Sequence, residues 1–139
     1  MRRILSVIAL LAVASFVTAN RASAQEHAIK ANVPFDFTVG DQLLPPGTYR
    51  ITSGTSHEVL LEGRGVGISV FVMGTADYKY ADAAPKLVFH KIGDQYFLNE
   101  VVSTSASGSV MLLPTKLEKR ARMQNAALRN EERTIVAMK

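Results

Sequence analysis

The sequence predicts a mainly β protein: a single antiparallel β-barrel, half-barrel or sandwich of about seven or eight strands, with an N-terminal signal helix and a C-terminal α-helix. Three observations predict it. Ile29, Ala31, Val33, Phe35, Phe37 and Val39 are apolar at every second residue, the period of a strand with one buried face. Turn signals follow in close succession at Gly40-Asp41, Pro46-Gly47, 53–56 and 63–67, which suits short antiparallel connections and not βαβ crossovers. The 139 residues, 47% apolar and 20% charged, suffice for one core but not for a multidomain enzyme.

The first element is an address. Arg2 and Arg3 supply a positive start, residues 4–19 are apolar apart from Ser6, Ser15 and Thr18, and Ala22-Ser23-Ala24 offers a small-x-small cleavage pattern. The apolar run of 16 residues is shorter than the roughly 20 that span a bilayer, so no stable membrane span is expected after cleavage. Export to the periplasm or beyond follows. Cleavage after Ala24 removes 24 of the 139 residues and leaves 115. It also takes away Arg2, Arg3 and Arg21, so the net charge falls from +4 to +1. The remainder is uneven: residues 25–115 carry six basic and nine acidic groups, residues 116–139 seven and three. A slightly acidic body thus ends in a basic tail.

Residues 25–114 form the expected β-domain. Residues 29–39 read as one strand, in which Pro34 marks an edge or a bulge because it cannot donate to a ladder. Pro46-Gly47 favours a type II turn with Gly47 at positive φ. Strands follow at 48–52, 59–61 and 68–73. Residues 74–85 lack a sustained period and read as a long loop. Residues 86–91 and 95–102 form the strongest hairpin, apolar at consecutive positions in Leu87-Val88-Phe89 and Tyr96-Phe97-Leu98, so both of its faces should be covered. Loops of two, three or four residues all fit its Gly93-Asp94 signal. A serine-rich loop over 103–109 leads to a last short strand at 110–113.

Residues 115–139 read as a basic helix. Thr115 and Glu118 make an S/T-x-x-E capping box, and residues 116–130 are strong helix formers. The last nine residues continue the helix or fray. Lys119, Arg122, Arg129 and Arg133 recur at helical spacing along one face, suited to an anionic partner. Leu117, Ala121 and Leu128 lie opposite, as a thin apolar row for packing, and Glu118 with Arg122 makes the i,i+4 pair of a solvated face.

The chemistry that is absent narrows the function. Without cysteine there is no disulfide framework, thiolate metal site or cysteine nucleophile, and no lipid attachment at a new N-terminus after the small residues. His27, His57 and His90 sit in different segments, without the close spacing of a zinc site, so no metal or cofactor is expected. No serine occupies a G-x-S-x-G elbow. Asp36, Asp41, Glu58, Glu62 and Glu100 could pair for hydrolysis only if the fold joined two of them. Gly63-Arg64-Gly65-Val66-Gly67 has the glycines of a phosphate loop, but a strand and not a helix follows, so turn or bulge glycines explain it. His90 could bond Asp94 across the hairpin turn. No catalytic residue emerges, and the chain reads as a non-enzyme.

Val33-Pro34-Phe35-Asp36-Phe37-Thr38-Val39-Gly40, Leu44-Pro45-Pro46-Gly47-Thr48-Tyr49, Lys86-Leu87-Val88-Phe89-His90 and Tyr96-Phe97-Leu98 together resemble an uncharacterised family of small exported proteins from soil bacteria. The resemblance covers most of residues 29–102. It implies an envelope location and a β-rich fold, and it transfers no functional residue. The Leu44–Tyr49 stretch alone is similar to a turn of carboxypeptidase-regulatory-like domains.

These readings point first to an exported, non-catalytic envelope protein acting as a binding or structural module on an unidentified envelope macromolecule. The alternative is a small barrel holding an apolar or sugar-like ligand under the 74–85 loop, with Tyr78 and Tyr80 stacking and Asp77 and Asp82 orienting it. A third is a small hydrolase using His90 and a carboxylate. Nucleic acid is not expected, because no aromatic residue interleaves with the basic ones. Pro34 at an edge leaves a homodimer by strand exchange open.

Overall fold

The alternation of residues 29–39 is built as two strands, with Pro34 at the break. In the computed structural model, which describes residues 28–54, 57–65, 67–77, 83–103, 109–126 and 131–139, β1 is Ala28–Val33 and β2 is Phe37–Val39. β1 pairs antiparallel with β4, Gly47–Ser53, whereas β2 pairs antiparallel with β3, Gln42–Leu44, and touches β8, Gln95–Val102, in parallel at Thr38–Phe97. Proline lacks the N–H that would continue the first ladder, so the chain changes neighbours there. The inward row survives the break: Ala31, Val33, Phe37 and Val39 are all buried.

Gly40, at φ 60°, turns the chain from β2 into β3. The type II turn expected at Pro46-Gly47 is not formed with Gly47 at positive φ. Gly47 instead starts β4 opposite Val33, and ladder pairing holds its backbone extended. β5 is Glu58–Gly63 and β6 is Ser69–Asp77, so the 74–85 loop begins later than its composition suggests. The cause is a change of partner. Ser69–Met73 pairs with β5, and Gly74–Asp77 pairs with β9, Ser109–Leu112.

β7, Lys86–Ile92, and β8 form the expected hairpin with a two-residue loop, Ile92 facing Gln95. Gly93 is at φ 61° and Asp94 is not at positive φ, the arrangement of a type II′ turn. A bulge lies opposite Val88 and Phe89, where the register shifts past Asn99. Helix α1 is Lys116–Asn125, and Thr115 caps it by accepting from the Glu118 N–H at 3.2 Å. The tail is not helical throughout: Glu131–Ala137 is β10, antiparallel to β7. The β-branched run Thr134-Ile135-Val136 favours a pleated strand over a helix turn.

The described residues therefore form ten strands and one helix, with a branched sheet whose main path runs β1-β4-β5-β6-β9-β8-β2-β3, with β7 paired to β8 and β10 to β7. It is an open sheet, not a closed barrel. Beside β1, the residues that follow β10 form an isolated bridge, Ala31–Met138, with Lys30 and Lys139 exchanging backbone hydrogen bonds of 2.8 and 2.9 Å. One apolar cluster nonetheless draws side chains from β1 to β9, so the sheet bends around a common core. Its centre is aromatic. Phe37 meets Tyr49 at 5.1 Å and Phe89 at 5.3 Å, both edge-on, and Phe35 stacks on Tyr96 at 4.0 Å. Such pairs add about 0.5–1.5 kcal/mol each beyond their burial. A smaller cluster of Ile92, Phe97 and Ala121 lies beneath α1, so the β7–β8 hairpin is covered on both faces, as its consecutive apolar residues require.

Candidate functional site

The outer face of β7 carries the densest polar chemistry. Alternation sends Leu87 and Phe89 into the core and presents His90 to α1. Glu118 and Arg122 lie one turn apart on the helix and both reach it. His90 Nδ1 is 3.3 Å from Glu118 Oε1 and 3.0 Å from Arg122 Nη2, and Arg122 donates to Glu118 Oε1 at 2.9 Å. Nδ1 either donates to the carboxylate or accepts from the guanidinium, one at a time. The Glu118 side chain is only 4% exposed, so the pair expected on a solvated face is turned toward the sheet. Leu117, expected to pack, is exposed, while Ala121 is buried. A carboxylate held this deeply is costly to leave without its partners. The cluster therefore fastens the helix to β7.

A second charged contact lies nearby. Glu100 on β8 is buried, and Arg133 of β10 reaches its Oε2 at 3.4 Å, while Oε1 has no hydrogen-bond partner among the described residues. The stripe of Lys119, Arg122, Arg129 and Arg133 is consequently not one helical face. Lys119 is exposed on α1, Arg122 binds Glu118, Arg133 lies in β10, and Arg129 falls outside the described residues. Of the loop residues read as ligand-binding, Asp77 ends β6 opposite Ser109, whose hydroxyl donates to the Asp77 carbonyl. Tyr78, Tyr80 and Asp82 fall outside the described residues.

Recesses open on the surface of the described residues. A groove of about 410 Å³ between α1 and the β2–β3 hairpin is lined by Phe97 and Leu117 together with the charged Asp36, Asp94 and Arg120. A trough of about 610 Å³ lies on the outward side of β1, β4 and β5. Among the described residues, no group of three or more metal-ligating side chains comes together, and no helix is long and apolar enough to cross a membrane. Comparison with known proteins returned no match to a family model, a curated protein or a solved structure.

Sequence reasoning missed the His90–Glu118–Arg122 cluster because its members are far apart in the chain. The capping box gave Glu118 a local role and hid its long-range one. Lys30, Arg50 and Arg64, which line the trough, were missed for the same reason: outward orientation follows from alternation, but partnership follows from register.

Proposed function

We propose that the chain is an exported, non-catalytic module of the bacterial envelope that works by binding or structural contact through its outer surface. The observation that carries this reading is the contrast between the two faces of the sheet. Inward, Phe37, Phe89, Leu44 and Leu61 have no exposed surface and Tyr49 almost none. A core filled in this way gives no support to a hollow, ligand-holding barrel. Outward, Phe71, Met73 and Leu113 are 62%, 64% and 67% exposed. Phe71 and Met73 stand on β6, and Leu113, just past the end of β9, lines one recess with Met73. Apolar groups clustered on a surface mark a contact site more often than isolated ones do. The leader-like residues 1–24 and the resemblance to exported proteins support the location.

Native mass spectrometry of the chain recovered from a bacterial envelope fraction tests the proposal. The expected mass is that of residues 25–139 with nothing retained. A tightly held small molecule would favour the ligand-binding alternative, and an uncut chain confined to the cytosol would overturn the reading.

A further inference from the structure

We propose that the outward face of β1, β4 and β5 binds a phosphate monoester group through Lys30, Arg50 and Arg64. The inference rests on the surface-binding reading above and names the chemistry of the partner. Register creates the site. Lys30 faces Arg50 across β1 and β4, and Arg50 faces Glu62 across β4 and β5. Arg64 is drawn in by its backbone N–H, which donates to the Thr48 carbonyl at 2.9 Å. All of these line the trough, together with Gly65.

Like charges placed directly opposite on a sheet face destabilise it. Among the described residues that line the trough, Glu62 is the one carboxylate, and it compensates weakly: its Oε2 is 4.0 Å from Arg50 Nε, with both side chains about half exposed. Lys30 and Arg64 form no ion pair among the described residues. Three positive groups against one carboxylate leave an excess of two charges, which a phosphate monoester near −2 at neutral pH matches and a single carboxylate does not. Two guanidinium forks and an ammonium also suit its oxygens. Gly65, at φ 85°, has no atom within 4 Å of where a Cβ would stand, so one wall of the trough is open to an approaching group. The glycine turn thus borders an anion site made by side chains, with no helix N-terminus involved.

The test titrates the purified chain with inorganic phosphate, and separately with vesicles of phosphatidylcholine with and without phosphatidic acid, at fixed ionic strength. Amide NMR signals and co-sedimentation are the readouts. Saturable shifts at Gly63, Arg64 and Gly65 with phosphate support the site for free phosphoryl ligands. Binding only to the phosphatidic acid vesicles supports it for a lipid headgroup. Arg50→Gln with Arg64→Gln should weaken either by about tenfold or more, while Lys116→Gln with Lys119→Gln, which removes the same charge elsewhere, should not. No saturable response to either probe, or equal loss in both variants, would overturn the proposal. That failure is separable from failure of the envelope reading, which shows in the location and mass of the recovered chain.

Discussion

Tyr49 takes its ring into the core and keeps its hydroxyl satisfied by donating to the Pro45 carbonyl at 2.5 Å. Burial, and secondarily the negative charge of Asp36, push its pKa above the ordinary 10.0. The folded state therefore favours the protonated phenol. Its contribution to stability is complete below about pH 10 and declines as pH rises toward the elevated folded value. Urea midpoints measured across that range should fall for the parent chain and fall less steeply for Tyr49→Phe, which at neutral pH loses about 1 kcal/mol with the hydrogen bond. Gly74 shows the opposite kind of constraint. A Cβ there would stand 2.5 Å from the Met111 carbonyl oxygen and 2.6 Å from Val110 Cγ1. Gly74→Ala should cost about 1–3 kcal/mol, read as a lower urea midpoint. The burial of Tyr49 is legible from a β-branched and aromatic strand after a Pro-Gly signal. The need for glycine at 74 is not, because the crowding atoms belong to a strand much later in the chain.

At the scale of elements, α1 divides into a legible half and a hidden half. Thr115 caps it as the S/T-x-x-E spacing predicts, and Thr115→Ala should destabilise the protein by about 1 kcal/mol. The face that α1 buries was not legible, since the apolar row of Leu117 and Ala121 is too thin to set the orientation against a buried ion cluster. Glu118→Gln keeps the shape and removes the charge that His90 and Arg122 converge on. It should lower stability by about 1–3 kcal/mol, with the largest gain in amide exchange over Lys116–Asn125 if the cluster is what fastens the helix. An exchange increase spread evenly over the sheet would argue for a general core defect instead. The tail misled for a related reason. Strong helix formers run to about residue 130, and the signal for a strand is confined to Thr134-Ile135-Val136.

For the whole molecule, the period-two rows and the dense turns made the β class legible, while the connectivity was not. Nothing local reveals that β6 changes partners at Gly74 or that β10 returns to β7, since both depend on pairings between distant residues. β10 shields one edge of β7 and brings Met138 to Ala31. Removing residues 131–139 should expose that edge, lower the urea midpoint and promote self-association, which light scattering after size-exclusion chromatography would register.

In the proposed function, contact falls on the outside of a filled sheet. Amide and methyl NMR spectra of the labelled chain, with and without an envelope extract, test that division directly. Perturbations should fall on outward positions such as Lys30, Arg50, Arg64 and Phe71 and leave the Val59, Leu61 and Leu98 methyls unmoved. Shifts concentrated in those interior methyls, with the outer face silent, would contradict it.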